Sequence, residues 1–292
     1  MKKKVILLAA MFAGATCFAQ DLTSKKGETI LPEADDWAIT LDAVPFLDFA
    51  GGFLGGNASA PGVNYAQNQA WHIKGKMFVD ATTAYRAGIR LGFGSNKTTA
   101  SVGSSTVTTA PVWPALPTLV EDVQSQGATN IVLTGGMEMR RGNGRLQGFY
   151  GGELFISMAN TKDKYTYGNT LDAPGVALGF STDFGGGNVG SDPFYGNGAR
   201  MTESKTSSFG LGLRGFIGAE YFIFAKMSIG AELGWGLGVS SGSSSATWEG
   251  TDGTTLGTIV DETANKSNGF GLDTDIANNA AGAGSLNITF HF

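Results

Sequence analysis

The sequence predicts an all-β protein, an eight-stranded antiparallel up-and-down transmembrane β-barrel. Three observations carry that prediction. Eight segments alternate apolar with polar residues, the mark of strands whose two faces meet different surroundings. The connections between them alternate short and long, as short inner turns and longer outer loops do in such barrels. No apolar run is long enough to cross a bilayer as a helix.

The first element is a leader over residues 1–19. Lys2-Lys3-Lys4 form a positive start, Val5 to Ala13 an apolar run, and Cys17-Phe18-Ala19 a small-x-small exit before Gln20. Cys17 is the chain's one cysteine. Gly14-Ala15-Thr16 lacks the Leu-like residue and the small final residue that lipid attachment at Cys17 would want, so cleavage is expected after Ala19. The mature chain then has no thiol for disulfide or nucleophilic chemistry. Residues 20–36 are expected to form a short periplasmic lead, and 37–292 the barrel.

The strands follow in order. Trp37–Phe49 sets Trp37, Ile39, Leu41, Ala43, Pro45, Leu47 and Phe49 on one face. Trp71–Val79 does so with Trp71, Ile73, Met77 and Val79, and Thr83–Phe93 with Tyr85, Ala87, Ile89, Leu91 and Phe93. Asn130–Arg140 shows Ile131, Leu133, Met137 and Met139; Leu146–Met158 shows Leu146, Tyr150, Leu154, Ile156 and Met158. Phe209–Ala219 carries Phe209, Leu211, Leu213 and Ile217, and Met227–Val239 carries Met227, Ile229, Leu233, Trp235, Leu237 and Val239. The tail Ser285–Phe292 alternates throughout, with Leu286, Ile288, Phe290 and Phe292 outward.

Short turns are expected at Asp80–Thr82, Arg141–Gly144 and Glu220–Lys226, and long loops at 50–70, 95–129, 159–207 and 240–280. The 45 glycines show no collagen-like period. Gly210, Gly212 and Gly218, with Gly230, Gly234, Gly236 and Gly238, fall on inward faces, where a narrow interior needs positions without side chains. Trp37, Tyr85, Tyr221 and Phe292 at one end, and Phe49, Trp71, Phe93 and Trp235 at the other, sit where aromatic girdles belong.

Charged residues are only 15% of the chain. Three of its 20 basic residues lie in the leader, leaving 17 against 25 acidic ones, a balance of −8 that speaks against nucleic acid as a partner.

Glu28–Leu47, the segment Gly75-Lys76-Met77-Phe78-Val79-Asp80 with Ala84-Tyr85-Arg86, and the alternating tail together resemble a family of outer-membrane β-barrel proteins common in Bacteroidetes. The matching motifs are short and architectural. Asp35-Asp36 departs from the family's pattern, which would set a glycine before an acidic residue. The resemblance implies an eight-stranded barrel in the bacterial outer membrane, held among lipid and lipopolysaccharide. It implies neither an activity nor catalytic residues. It also implies that the barrel-assembly machinery reads the terminal aromatic strand, with Phe290 and Phe292 as the signal.

The inward face is expected to hold Asp42, Asp48, Lys74, Lys76, Arg86, Arg90, Glu138, Arg140, Glu153, Arg214 and Glu232, five acids and six bases. Buried charges need opposite partners, so Asp42 is expected near Lys74, Arg86 near Glu138, and Arg214 near Glu232 at nearly equal height. A filled, closed lumen is the main expectation; a gate whose pairs exchange to pass ions is the alternative.

Other motifs resolve to bland readings. Gly210-Leu211-Gly212-Leu213-Arg214-Gly215 matches G-x-G-x-x-G but lies inside a strand, where no helix follows to cradle a pyrophosphate. His291 has no obvious nucleophile nearby; His72, with Asp48 in reach, is the one candidate for a rim hydrolase. Glu249, Asp252, Asp261, Glu262, Asp273 and Asp275 match no calcium loop and read as solvated charge. The 159–207 loop, with Tyr165, Tyr167, Phe180, Phe184, Phe194 and Tyr195 among glycines, offers a surface for a protein partner. The functional expectation is a non-enzymatic membrane protein without cofactor or metal, serving as a structural component or as a binding platform through its loops. A narrow channel and a rim hydrolase are the alternatives.

Overall fold

The computed structural model describes residues 23–24, 26–43, 73–107, 112, 114–142, 144–172, 174–187, 189, 198–274 and 285–292. These residues form one antiparallel sheet with almost no helix. Its strands are β1 (Trp37–Asp42), β2 (Ile73–Asp80), β3 (Thr83–Gly103), β4 (Leu119–Arg141), β5 (Leu146–Thr166), β6 (Ala199–Phe224), β7 (Met227–Thr251), β8 (Leu256–Thr274) and β9 (Ser285–His291). A single 3-10 turn of helix lies at Val176–Phe180.

Each strand from β1 to β7 pairs with the next, and β9 pairs with both β7 and β1, so the hydrogen bonds return to their start. The ring has eight positions although nine strands are described. Along β7, β9 covers Met227–Glu232 and β8 covers Trp235–Thr251, both running antiparallel to it. β8 thus stands above β9 in the eighth position, where the sequence was expected to form a loop over 240–280.

One end of the ring carries the tight turns, at 81–82, 142–145 and 225–226. The last turn corrects the expected Glu220–Lys226 connection: β6 runs on through Tyr221-Phe222-Ile223-Phe224, and Lys226 takes a left-handed backbone (φ 64°) to reverse the chain. At this end the amide of Phe292 donates to the Trp37 carbonyl at 2.7 Å, and the Trp37 amide to the Phe292 carbonyl at 3.3 Å. The lead crosses here too, since the Asp35 amide donates to Phe78 O and the Phe78 amide to Asp36 O. Ile30 of the lead is only 2% exposed.

The other end is far taller than expected. β3 to β7 are 21 to 26 residues long, against 6, 8 and 7 for β1, β2 and β9. Stretches expected as loops, 95–103, 119–129, 159–166 and 240–251, continue the ladders, the last with a bulge at Met201/Glu203 on β6. Over this tall wall lies a strap, 167–182. Asp122, fully buried, accepts from the amides of Gly168 (2.9 Å) and Thr182 (2.7 Å). Asn169 takes the Ser105 amide and donates to the carbonyls of Gly103 and Phe180.

Alternation sorts the lower ring as the periodicity predicts, with large apolar side chains outward. Trp37, Tyr85, Leu91, Phe93, Leu133, Leu154, Leu213, Ile217, Leu233, Trp235 and Phe292 are each more than 40% exposed. Ala43 departs from its expected outward place and is buried just past β1. The glycines make room inside. A Cβ at Gly218 would collide with the Phe149 ring, one at Gly151 with Phe216 (2.6 Å) and one at Gly212 with Phe155 (2.5 Å). Each interior ring therefore lies across a backbone that has no side chain.

Candidate functional site

The most unusual feature of the described structure is its interior. Lys74, Lys76, Arg86, Arg90, Glu138, Arg140, Glu153, Arg214 and Glu232 all point inward and are at most 8% exposed. Nine of the eleven expected interior charges are thereby placed. Asp48 lies outside the described residues, and so does the Asp42 side chain. Glu220, expected in a turn, joins them at 2% exposure.

Arg86 is the hub. Its guanidinium lies 2.9 Å from Glu232, 3.4 Å from Glu138 and 3.7 Å from Glu153, and it stacks 3.9 Å over the Phe216 ring. Glu138 also meets Lys76 at 3.1 Å and Arg140 at 3.4 Å. Glu220 meets Arg140 at 2.6 Å and Lys76 at 3.8 Å. Arg214 bridges Glu153 (2.8 Å) and Glu232 (2.7 Å).

Of the three expected pairs, Arg86–Glu138 and Arg214–Glu232 form. The third, Asp42–Lys74, rests on a side chain outside the described residues; Lys74 reaches Glu232 at 3.3 Å. The heights also differ from expectation. Glu153 is the residue directly across from Arg214, whereas Glu232 sits opposite Gly218, four residues lower on β6. The two-residue turn at 225–226 moves the register, and the long Arg214 side chain spans the diagonal.

Every acid here touches two or more cations. Removing a charge from water costs several kcal/mol per ion, and only such multiple pairing offsets it. Arg86 shows the compromise: its Nε and Nη2 make no hydrogen bond in good geometry, although Nη2 is within ion-pair distance of Glu232. Aromatic rings close the layer. Lys76 lies 5.0 Å over Phe149, and Arg140 lies 5.3 and 5.6 Å from the centres of Phe78 and Phe222. The cavity among Thr40, Lys74, Lys76, Arg86, Glu220 and Glu232 amounts to about 10 Å³, the space of roughly one water.

Below this layer His291 is packed against Phe78 and Phe222, with ring centres 5.6 and 5.1 Å away. Contrary to expectation it has a hydroxyl beside it: Ser228 Oγ is 3.3 Å from His291 Nε2. Ser228 also donates to Glu220, whose carboxylate lies 3.6 Å from that same nitrogen. A nucleophilic triad needs the acid on the other ring nitrogen, to orient the base. His291 Nδ1 has no hydrogen-bond partner, and Ser228 is fully buried. The arrangement is therefore not that of a triad, and it packs the tight-turn end between Phe78 and Phe222.

The remaining expectations are dispersed. His72 lies outside the described residues. The G-x-G-x-x-G stretch 210–215 runs within β6. Glu249 belongs to β7, not a loop, and binds Arg200 at 2.5 Å. Asp252 accepts from the Thr254 hydroxyl and the amides of Thr254 and Thr255, which hold its carboxyl below the usual range. Among the described residues no group of three or more His, Cys, Asp or Glu side chains converges as a metal site would.

Comparison with protein-family models, with curated proteins and with solved structures found no match for this chain.

Proposed function

We propose that the chain is an integral outer-membrane β-barrel whose charge-filled interior is closed, and that it acts as a structural element or binding platform through its outer wall. One observation carries the reading: the sheet is inside-out relative to a water-soluble protein. Its large apolar residues face outward, while nine lysine, arginine and glutamate side chains cross-pair within. Exposed apolar surface of that extent signals a lipid or protein contact. The belt's height favours lipid. On β7 it runs from Met227 to Val239, about 40 Å of strand at ~3.3 Å per residue, or about 30 Å along the axis at a tilt of roughly 40°. That matches a hydrocarbon core.

The tall wall would project on the outer side, and the tight turns, the lead and the Trp37–Phe292 junction would face the periplasm. The packed interior speaks against the channel alternative. The test is a fractionation of the expressed full-length protein, together with electrophoresis before and after boiling. Recovery in outer membranes with a heat-dependent shift in mobility is the expected result. A protein found in the soluble fraction, or one whose mobility ignores boiling, would overturn the reading.

A further inference from the structure

At the outer end, β5, β6, β7 and β8 and the strap enclose an open cleft of about 610 Å³, lined by Tyr165, Tyr167, Asn169, Arg200, Glu249 and Thr258 among others. Small-molecule sites have volumes of this order, roughly 300–1,000 Å³. The chemistry of the lining restricts what fits.

Among the described residues of the lining, Arg200 is the only cation and Glu249 the only anion. The Arg200 side chain is 3% exposed and each of its three nitrogens donates within the protein: Nε to Glu249 at 2.5 Å, Nη1 to Ser181 Oγ at 2.8 Å, and Nη2 to the Asn169 carbonyl at 2.8 Å. It also stacks 4.2 Å over Tyr167. A guanidinium so occupied cannot turn to receive a phosphate or carboxylate. An anionic ligand would meet Glu249 with no cation to spare.

The cleft still presents a carboxylate about a third exposed, two tyrosine rings, and the exposed Thr166, Thr170 and Thr258. A carboxylate accepts hydrogen bonds from vicinal hydroxyls, and aromatic rings take flat, weakly polar C–H faces. Both preferences describe sugars.

We propose that this cleft binds a neutral, hydroxyl-rich ligand, a short uncharged oligosaccharide, with Glu249 as the principal acceptor and Arg200 fixing its orientation. The outward address of the cleft rests on the membrane reading above, which fractionation tests separately. Binding could therefore fail while that reading stands.

Thr258 supplies the probe. It pairs with Glu249 across β7 and β8, so its side chain shares that face; it is exposed and lines the cleft. Thr258→Phe should fill the cleft beside the carboxylate, and Glu249→Gln should weaken the acceptor while keeping its shape. The full-length protein, refolded in a detergent without a sugar headgroup, is titrated calorimetrically with maltotriose, cellotriose, mannotriose and chitotriose, and with sialyllactose as the anionic counterpart.

Saturable binding of at least one neutral trisaccharide is expected, weakened about tenfold or more in each variant. Heat-modifiable mobility serves as the folding check; should Thr258→Phe fail it, Glu249→Gln carries the test. No saturable binding by any neutral sugar up to ~10 mM, a preference for sialyllactose, or undiminished binding in the folded variants would each overturn the proposal.

Discussion

Glu232 touches Lys74, Arg86 and Arg214 at 3.3, 2.9 and 2.7 Å, so its loss strands three cations at once. Glu232→Ala should cost ~3–5 kcal/mol, read from urea unfolding in lipid vesicles. Adding Arg214→Ala should cost less than the two single losses summed, because one stranded guanidinium is gone. Strict additivity would mean that the pair does not interact. Gly218 tests the interior by volume. Gly218→Leu should destabilise by ~1–3 kcal/mol or more, because a Cβ there collides with both the Phe149 ring and the Ala231 backbone carbonyl, and Phe149→Ala should relieve only the first of these. The charges were legible at this scale because an ionisable residue on a strand's polar face has nowhere to go but inward. Glu220 was not. It precedes the unbroken apolar run Tyr221-Phe222-Ile223-Phe224, which hides period two, and the reversing residue Lys226 carries none of the glycine or asparagine that announces a tight turn.

At the scale of strands, the outward face of β7 carries the phase of the whole pattern. Leu233, 53% exposed, is expected to meet acyl chains, and Leu233→Arg should cost ~2–4 kcal/mol near the bilayer centre. Leu233→Ala should cost much less, and equal tolerance of the two in refolding would contradict the assignment. The same physics explains why the lower halves of the strands could be read and the upper halves could not. Where one face meets lipid and the other a polar interior, side chains must alternate. Above the belt both faces meet water or polar groups, so Ser240–Ser245 and Asn96–Ala100 lose the pattern although their ladders persist. Only backbone hydrogen bonds and threonine's preference for extended backbone mark them as strand. Hydrogen exchange separates the two descriptions. Amides of 119–129 and 240–250 should be protected like those of the belt, whereas loops would exchange freely.

For the whole molecule, the interior decides what passes. Five bases (Lys74, Lys76, Arg86, Arg140 and Arg214) interlock with four acids (Glu138, Glu153, Glu220 and Glu232), with Phe78, Phe222 and His291 packed below, and the cavity among these described residues is only ~10 Å³. Planar-bilayer recordings of the purified parent should therefore show little steady current, and Glu232→Ala should raise it as water enters to solvate the stranded cations. A parent that conducts steadily, with Glu232→Ala altering only ion preference, would promote the channel reading.

The junction between β1 and β9 is the seam of the ring. Among the described residues β1 spans six and β9 seven, and they join the first strand to the last, whereas β3 to β7 are zipped along 21 or more. The same junction is the most distant in sequence, so loop-closure entropy makes it the last to form. The molecule is therefore a curtain of long neighbouring strands that becomes a ring only when its clasp, the seam between first strand and last, is fastened.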